Sequence, residues 1–183
     1  MTPSRRNIVL IGMPGAGKST VGALLARALG LGFTDTDALI EEREQRSLQA
    51  IVDGAGHQAL RAIEADVLST LACEGHVIAT GGSAVYSDRA MAHLRASGVI
   101  VELHVALPVI LERVTDIDTR GLAREAGQPL EALYHEREAL YRRHADLRVD
   151  VSGCDPAASV QAVRAALERA DNRSDGSGIM PPL

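Results

Sequence analysis

The chain has 183 residues, of which 46% are hydrophobic and only 2% are aromatic, and its formal net charge at pH 7 is −5. This length suits one domain with an aliphatic core, because single domains commonly hold about 100–150 residues. The negative charge argues against nucleic acid as the main partner, since binding to a phosphate backbone needs a basic face.

The chain opens with a strand, a glycine-rich loop and a helix. Residues 7–11 form a short β-branched run that is typical of a buried parallel strand. Residues 12–19, GMPGAGKS, fill every fixed position of the phosphate-binding pattern G-x-x-x-x-G-K-[ST]. Apolar residues on one face then predict a helix that begins near Lys18 and ends at Gly30. The motif therefore lies in the strand–loop–helix context that it requires.

Each residue type in this loop has a mechanical reason. Glycines let successive backbone N–H groups point into one concavity, which is a nest for anionic oxygens. The Lys18 ammonium can reach the outer phosphates, and the Ser19 hydroxyl can ligate Mg²⁺. The positive end of the following helix dipole favours the same anion. The predicted nucleotide-binding residues here are Gly12, Gly15, Ala16, Gly17, Lys18, Ser19 and Thr20.

Strand-like and helix-like patterns alternate along the rest of the chain. Strands are predicted at 32–35, 76–80, 99–104 and 148–151, and helices at 37–46, 57–73, 88–96, 108–114, 129–144 and 156–170. With the first strand and helix, this order predicts an α/β fold: a doubly wound, five-stranded parallel sheet with helices on both faces. We expect one domain over residues 1–170.

Two segments do not follow this alternation of strands and helices. Residues 115–128 are polar, contain two glycines and lack periodicity, which predicts a mobile lid. Residues 171–183 are rich in serine, glycine and proline, which predicts a disordered tail.

Two carboxylates follow the second predicted strand. Because ligands bind at the carboxyl ends of the strands in such sheets, Asp35 and Asp37 are candidate site residues. Asp35 could hold Mg²⁺ directly or through water, and Asp37 could orient a substrate hydroxyl or accept its proton. The alternative for Asp37 is a purely structural role as the N-cap of the next helix.

Three arginines and a glycine pair are further candidates, each with a plainer alternative. The plainer alternative for Arg61 is a solvated pair with Glu64, and periodicity alone favours an exposed Arg137 on a charged helix. The pair at 81–82 could let a ligand approach the backbone or simply form a tight turn. Arg120 could close from the lid over phosphates or be an ordinary loop residue.

Taken together, these motifs resemble the shikimate kinases, which are small P-loop kinases of the nucleoside-monophosphate-kinase type. The resemblance covers about residues 7–167 and rests on the loop motif, on DTD at 35–37, LRAIE at 60–64, TGG at 80–82 and the segment from Arg137 to Tyr141. It implies a three-layer P-loop kinase fold with a mobile lid, and it implies ATP and Mg²⁺ as cofactors.

The resemblance also implies roles for single residues. Lys18, Asp37 and Arg120 would be catalytic, and Ser19 and Asp35 would serve the metal. The substrate would be bound by Asp37, Arg61, Gly81, Gly82 and Arg137, with the two arginines gripping its carboxylate. Arg113, Arg120 and Pro156 would lie on the nucleotide side. Arginine pairs on a carboxylate give both orientation and charge neutralisation.

Departures from the family pattern cluster on the acceptor side. They are Ser83 for a third glycine, Gly121 and Ala139 for prolines, and Val52 and Leu60 at positions where aromatic residues are usual. The primary hypothesis is transfer of the ATP γ-phosphoryl group to shikimate, giving shikimate 3-phosphate in aromatic amino acid biosynthesis. One alternative is the same chemistry on a homoserine-like or gluconate-like acceptor, and a second is a non-catalytic nucleotide-binding regulator.

The expected partners are an acidic small molecule and ATP, with no nucleic acid and no membrane. The sequence has no run of about 18 apolar residues. Cys73 and Cys154 are far apart and lack metal-ligand spacing, which is typical of reduced thiols in a cytoplasmic protein. We expect a cytoplasmic monomer.

Overall fold

The computed structural model describes residues 6–115 and 122–175, and the side chains of all of these except 174 and 175. Its strands are β1 (Asn7–Ile11), β2 (Gly32–Asp35), β3 (His76–Ala79), β4 (Gly98–His104) and β5 (Leu147–Asp150). Its helices are α1 (Lys18–Leu29), α2 (Thr36–Glu44), α3 (Leu48–Thr70), α4 (Asp88–Ser97), α5 (Leu107–Arg113), α6 (Leu130–His144) and α7 (Pro156–Asp175). A short 3₁₀ turn spans Ala84–Tyr86.

The five strands form one parallel sheet in the order β2-β3-β1-β4-β5. β1 is central and every one of its residues is buried, as its continuous apolar run requires. In register, Leu10 lies beside Ala79 of β3 and Val101 of β4. The predicted parallel sheet is therefore confirmed, and the loop after β1 lies at the middle of its carboxyl edge.

Helices cover both faces of the sheet. α1 and α7 pack together on one face, while α3, α4 and α6 form the other. One large aliphatic cluster fills the space between these layers. A second group, the small apolar cluster, lies between α2, α3 and the end of the lid segment; it consists of Ile40, Ile51, Leu60, Val67 and Ala123. None of the helices in the described part of the chain is long and apolar enough to cross a membrane.

Three helix boundaries differ from the sequence-based predictions. α3 begins at Leu48 rather than near residue 57, because Gly56, with a φ of 83°, interrupts the helix and broke the apolar periodicity. The N-cap of α2 is Asp35 and not Asp37, since the Asp35 carboxylate accepts the Asp37 amide N–H at 3.0 Å.

The end of α7 is the third difference. The helix runs to residue 175, so 171–175 are helical and not part of a disordered tail. No glycine or proline occurs between 171 and 175, and the first helix-stopping residue is Gly176. The rest of the predicted tail, 176–183, lies outside the described residues.

Candidate active site

The loop between β1 and α1 adopts a conformation that only glycine reaches easily. Gly12, Gly15 and Gly17 have φ values of 146°, 82° and 88°. A side chain at Gly12 would also meet the Leu103 carbonyl oxygen at 2.6 Å. The glycines of the motif are therefore required by backbone geometry, and they turn the loop over the start of α1.

Lys18 begins α1 and turns its side chain back into the loop. Its Nζ donates to the carbonyl oxygens of Gly12 and Met13 at 2.8 and 3.0 Å. Burial lowers the pKa of Lys18 to about 8, although the nearby Asp37 carboxylate partly opposes that shift. An anion bound in the loop would supply the missing counter-charge and favour the ammonium form.

An open cleft of about 470 Å³ lies over this loop. That volume is within the range of about 300–1,000 Å³ that is usual for small-molecule sites. Its lining includes seven of the predicted site residues and the lid residue Leu122; the seven are Gly15, Gly17, Lys18, Ser19, Thr20, Asp37 and Gly82. Gly12 and Ala16 are buried beneath it.

Of the residues predicted for the nucleotide side, Arg113 contacts the loop and Pro156 does not line the cleft. Arg113, exposed at the end of α5, donates to the Gly15 carbonyl oxygen at 3.3 Å. Pro156 is exposed at the start of α7 and is not among the described residues that line the cleft. Arg120 and Gly121 lie outside the described residues, so the lid arginine stays a prediction.

Asp37 lies where two cavities meet. It lines the open cleft and also the smaller cavity beside it, which is bordered by Glu64 and Arg137. Burial raises the pKa of Asp37, while Lys18 pulls it down and Asp35 adds to the rise. A partly desolvated carboxylate at this junction is placed to meet a hydroxyl on one side and a phosphate on the other.

Asp35 and Ser19 suit a magnesium ion by their chemistry. The exposed Ser19 hydroxyl lines the cleft, and the half-buried Asp35 carboxylate ends β2. Capping engages one oxygen of Asp35, but a carboxylate can accept about four hydrogen bonds or ligand contacts. Hydroxyl and carboxylate oxygens are the hard donors that Mg²⁺ prefers. The donor set therefore fits the ion.

Arg61 and Arg137 meet on the other side of Asp37. The Arg61 Nη2 and the Arg137 Nη2 both donate to the carbonyl oxygen of Ala123, at 3.0 and 2.9 Å. Arg137 is 1% exposed, so the exposed position that periodicity favoured is wrong. Its charged neighbours on α6 suggested an exposed position, but the Arg137 side chain faces inward. Two guanidinium groups on one oxygen form a ready seat for a carboxylate.

The smaller cavity, which we name the acceptor cavity, is nearly filled. Its volume is about 40 Å³, which leaves room for little more than a water molecule. Leu122 and Ala123 line it, and Ala123 is 4% exposed within the small apolar cluster. The end of the lid segment thus occupies the space in front of the two arginines.

The glycine pair connects the two cavities. A side chain at Gly82 would lie 2.7 Å from the Arg137 Nη1 and 3.0 Å from Pro14 of the loop. The Gly82 carbonyl oxygen accepts from the Tyr141 hydroxyl at 2.7 Å. The close approach explains why the pair is glycine, and the tyrosine bond fixes it to the same helix that carries Arg137.

Glu64 is a site residue that sequence reasoning missed. It is 2% exposed and hydrogen-bonded to the Ser83 hydroxyl, rather than paired with Arg61 at the surface. Its Oε1 has no hydrogen-bond partner among the described residues, and burial raises its pKa to about 7. The sequence held two signals: the family motif LRAIE at 60–64 ends in Glu64, and the serine that stands for a third glycine supplies the donor.

Tyr86 was also missed. It ends the 3₁₀ turn after the glycine pair, and its ring lies under Arg61, with 3.7 Å between the guanidinium carbon and the ring centroid. No pattern in the sequence points to this residue, since the turn has neither helical nor strand periodicity.

Comparison with known proteins gives a consistent result. A family model described as shikimate kinase matches residues 14–168. A shikimate kinase of Geobacter sulfurreducens is 44% identical over 151 residues, which are 81% of this chain and 83% of that protein. One from Methylococcus capsulatus is 38% identical over 173 residues, covering 93% and 97% of the two chains.

Solved structures agree. Shikimate kinase from Acinetobacter baumannii in complex with shikimate superposes with a TM-score of 0.83 and 30% identity, covering 91% of this chain and 94% of that one. The described fold is thus shared with a shikimate-bound kinase across almost the whole chain.

Proposed function

Because the chain belongs to the shikimate kinase family, we propose that it transfers the γ-phosphoryl group of ATP to a hydroxyl of shikimate, releasing shikimate 3-phosphate and ADP. One observation carries the proposal beyond the family name. Two arginines converge on a single oxygen, and among the described residues Asp37, Gly82 and Leu122 line both the cavity beside that point and the cleft over the phosphate loop.

On the nucleotide side, the loop amides and Lys18 hold the β- and γ-phosphates. Lys18 exchanges the Gly12 and Met13 carbonyl oxygens for phosphate oxygens. Ser19 and Asp35 would hold Mg²⁺, which neutralises charge on the outer phosphates when it is bound. Arg113 and Pro156 border the nucleotide, and Arg120 approaches the phosphates from the lid.

On the acceptor side, Arg61 and Arg137 bind the substrate carboxylate, and Gly81 and Gly82 lie beside the ring. The carboxylate displaces the Ala123 carbonyl oxygen, so residues 122 and 123 leave the acceptor cavity when substrate binds. The lid end and the substrate therefore compete for the same two guanidinium groups.

Asp37 orients the attacking hydroxyl and accepts its proton. The hydroxyl oxygen then bonds to the γ-phosphorus as the bond to the β-bridging oxygen breaks, and ADP leaves with that oxygen. The pKa of Asp37 is raised by burial, which makes it a better proton acceptor than a solvated aspartate. Positioning and charge neutralisation supply most of the acceleration in reactions of this type.

Of the alternatives from the sequence, a homoserine-like or gluconate-like acceptor has less support. The curated relatives that are 38–44% identical carry the name shikimate kinase. A non-catalytic regulator also has less support, because Lys18 and Asp37 face the same cleft as an active kinase requires.

An acceptor panel tests the proposal. ADP release is followed with ATP, Mg²⁺ and shikimate, homoserine or gluconate in turn. We expect kcat/KM for shikimate to exceed the others by about 100-fold or more, because buried groups built for one substrate reject an analogue that leaves them unpaired. A preference for another acid would reassign the acceptor, and nucleotide turnover that ignores every acceptor would favour the regulator.

A further inference from the structure

Tyr86 lies against both of the arginines that donate to the Ala123 carbonyl oxygen. The guanidinium carbon of Arg61 is 3.7 Å from its ring centroid, and that of Arg137 is 5.5 Å away. A cation within about 6 Å of an aromatic face is attracted by the negative charge of that face. The ring therefore contacts the groups proposed to hold the substrate carboxylate.

The hydroxyl of Tyr86 fixes the ring in this place. It donates to the Glu136 Oε1 at 2.5 Å and receives a long contact of 3.4 Å from the Arg137 Nε. The other Glu136 oxygen accepts from the Gln128 side chain at 2.8 Å. The ring is thus held from α6 and from the end of the lid segment, and its hydroxyl has a charged acceptor.

Tyr86 is not a core residue. It is half-buried and belongs to neither apolar cluster of the described residues. Its ring borders a surface cleft of about 370 Å³ together with Arg61 and Ser83. The contacts of its ring and hydroxyl are with charged groups, Arg61, Arg137 and Glu136, which indicates a contribution to their placement.

An arginine that must present two N–H groups to a carboxylate gains from being held beforehand. The Arg61 side chain is long and only half-buried, and ordering it when substrate binds would cost conformational entropy. A flat ring under the planar guanidinium removes much of that cost and leaves the N–H edge free to bind.

We propose that Tyr86 is a positioning residue for the acceptor carboxylate: it orients Arg61 by stacking and restrains Arg137 through its hydroxyl. This inference rests on the proposed function, in which these arginines bind the carboxylate of shikimate. Tyr86 itself touches neither reacting group.

Steady-state kinetics of Tyr86→Leu, Tyr86→Phe and the unchanged protein test the inference. Tyr86→Leu is expected to raise the shikimate KM about three- to tenfold, from the strength of a partly buried cation–π contact. The ATP KM is expected to change less than twofold. Tyr86→Phe keeps the ring but loses the hydroxyl contacts, so its rise in the shikimate KM is expected to be clearly smaller than that of Tyr86→Leu. A merely structural role would not separate the two KM values or be rescued by phenylalanine.

Phe33→Leu is the matched control, because it removes a ring that lies 38% exposed against α1, away from both arginines. It should leave the shikimate KM unchanged. The inference is overturned if Tyr86→Leu leaves the shikimate KM unchanged, if it raises both KM values equally, or if Tyr86→Phe is as impaired as Tyr86→Leu.

A double-substitution cycle gives a second measurement. Lysine has no planar group to stack, so in an Arg61→Lys background Tyr86→Leu should raise the shikimate KM less than twofold further. Full additivity would contradict the stacking role. If the unchanged protein releases no ADP with shikimate, the proposed function itself fails; if it does and Tyr86→Leu matches it, only the role of Tyr86 fails.

Discussion

Arg61 and Arg137 come from different helices, α3 and α6, and donate to one atom, the carbonyl oxygen of Ala123. Ala123 also packs in the small apolar cluster, so the lid end is held by polar and apolar contacts together. The two guanidinium groups are therefore already brought together on a backbone oxygen. In the function proposed above, binding of the acceptor would exchange that oxygen for a carboxylate oxygen.

The two arginines should govern the acceptor and not the nucleotide. We expect Arg61→Lys and Arg137→Lys to raise the shikimate KM by about 10-fold or more. Lysine keeps the positive charge but cannot offer the two parallel N–H donors with which a guanidinium group binds a carboxylate. The ATP KM should stay within about threefold. Arg142→Lys is the control on α6, since this exposed residue pairs with Glu138 at the surface. Equal rises in both KM values would contradict the assignment.

Lys18 should dominate catalysis. Replacement by methionine keeps much of the side chain's bulk but removes the charge that the loop holds at 2.8 and 3.0 Å from two carbonyl oxygens. We expect kcat/KM to fall by about 100-fold or more, as for other lost transition-state contacts. Arg27→Met, at the exposed far end of the same helix, should change it little. Comparable losses in both variants would argue against the phosphate role.

Nucleotide affinity should fall above pH 8. The pKa of Lys18 is lowered to about 8 by burial, and bound phosphates favour the charged form and raise it. Below pH 8 the Lys18 ammonium is already present, so the affinity for nucleotide does not change with pH. Above it, binding must take up a proton, so affinity should fall by up to about tenfold per pH unit. Calorimetry with ADP and Mg²⁺ at several pH values measures this, and the Lys18→Met variant should lose the slope.

Glu64 should destabilise the fold as the pH rises. Its pKa is raised from 4.5 to about 7 by burial, so the folded state binds a proton that the unfolded state releases. Its neutral form is fully present below pH 4.5, and the stability that it contributes is lost as pH rises towards 7. Glu64→Gln mimics the neutral form. We expect a higher melting temperature than the unchanged protein at pH 8 and a difference near zero at pH 4.5; a constant difference would contradict the shift.

The sequence predicted the sheet, the phosphate loop and the carboxyl-edge location well. Short apolar runs and the fixed spacing of residues 12–19 are local signals, and the structure follows both. Local periodicity failed where a glycine interrupts a helix, as at Gly56, and where a charged residue faces inward, as at Arg137. Only the family resemblance indicated that Arg137 binds the substrate.

Tertiary contacts account for what the sequence did not predict. The bond between Glu64 and Ser83 joins α3 to the loop after β3, and the stacking of Arg61 on Tyr86 joins α3 to the 3₁₀ turn. The Ala123 carbonyl oxygen enters the site from a segment without regular structure. None of these pairs has a periodic spacing, so they become visible only when the chain is folded.

Phosphorus NMR of the complete reaction tests the central claim most directly. The purified protein is incubated with ATP and Mg²⁺, with and without shikimate, and the products are followed by ³¹P spectra. We expect ADP together with an equal amount of a new phosphomonoester on shikimate, and neither when shikimate is left out. ADP with free inorganic phosphate in equal amounts, or no change when shikimate is added, would contradict it.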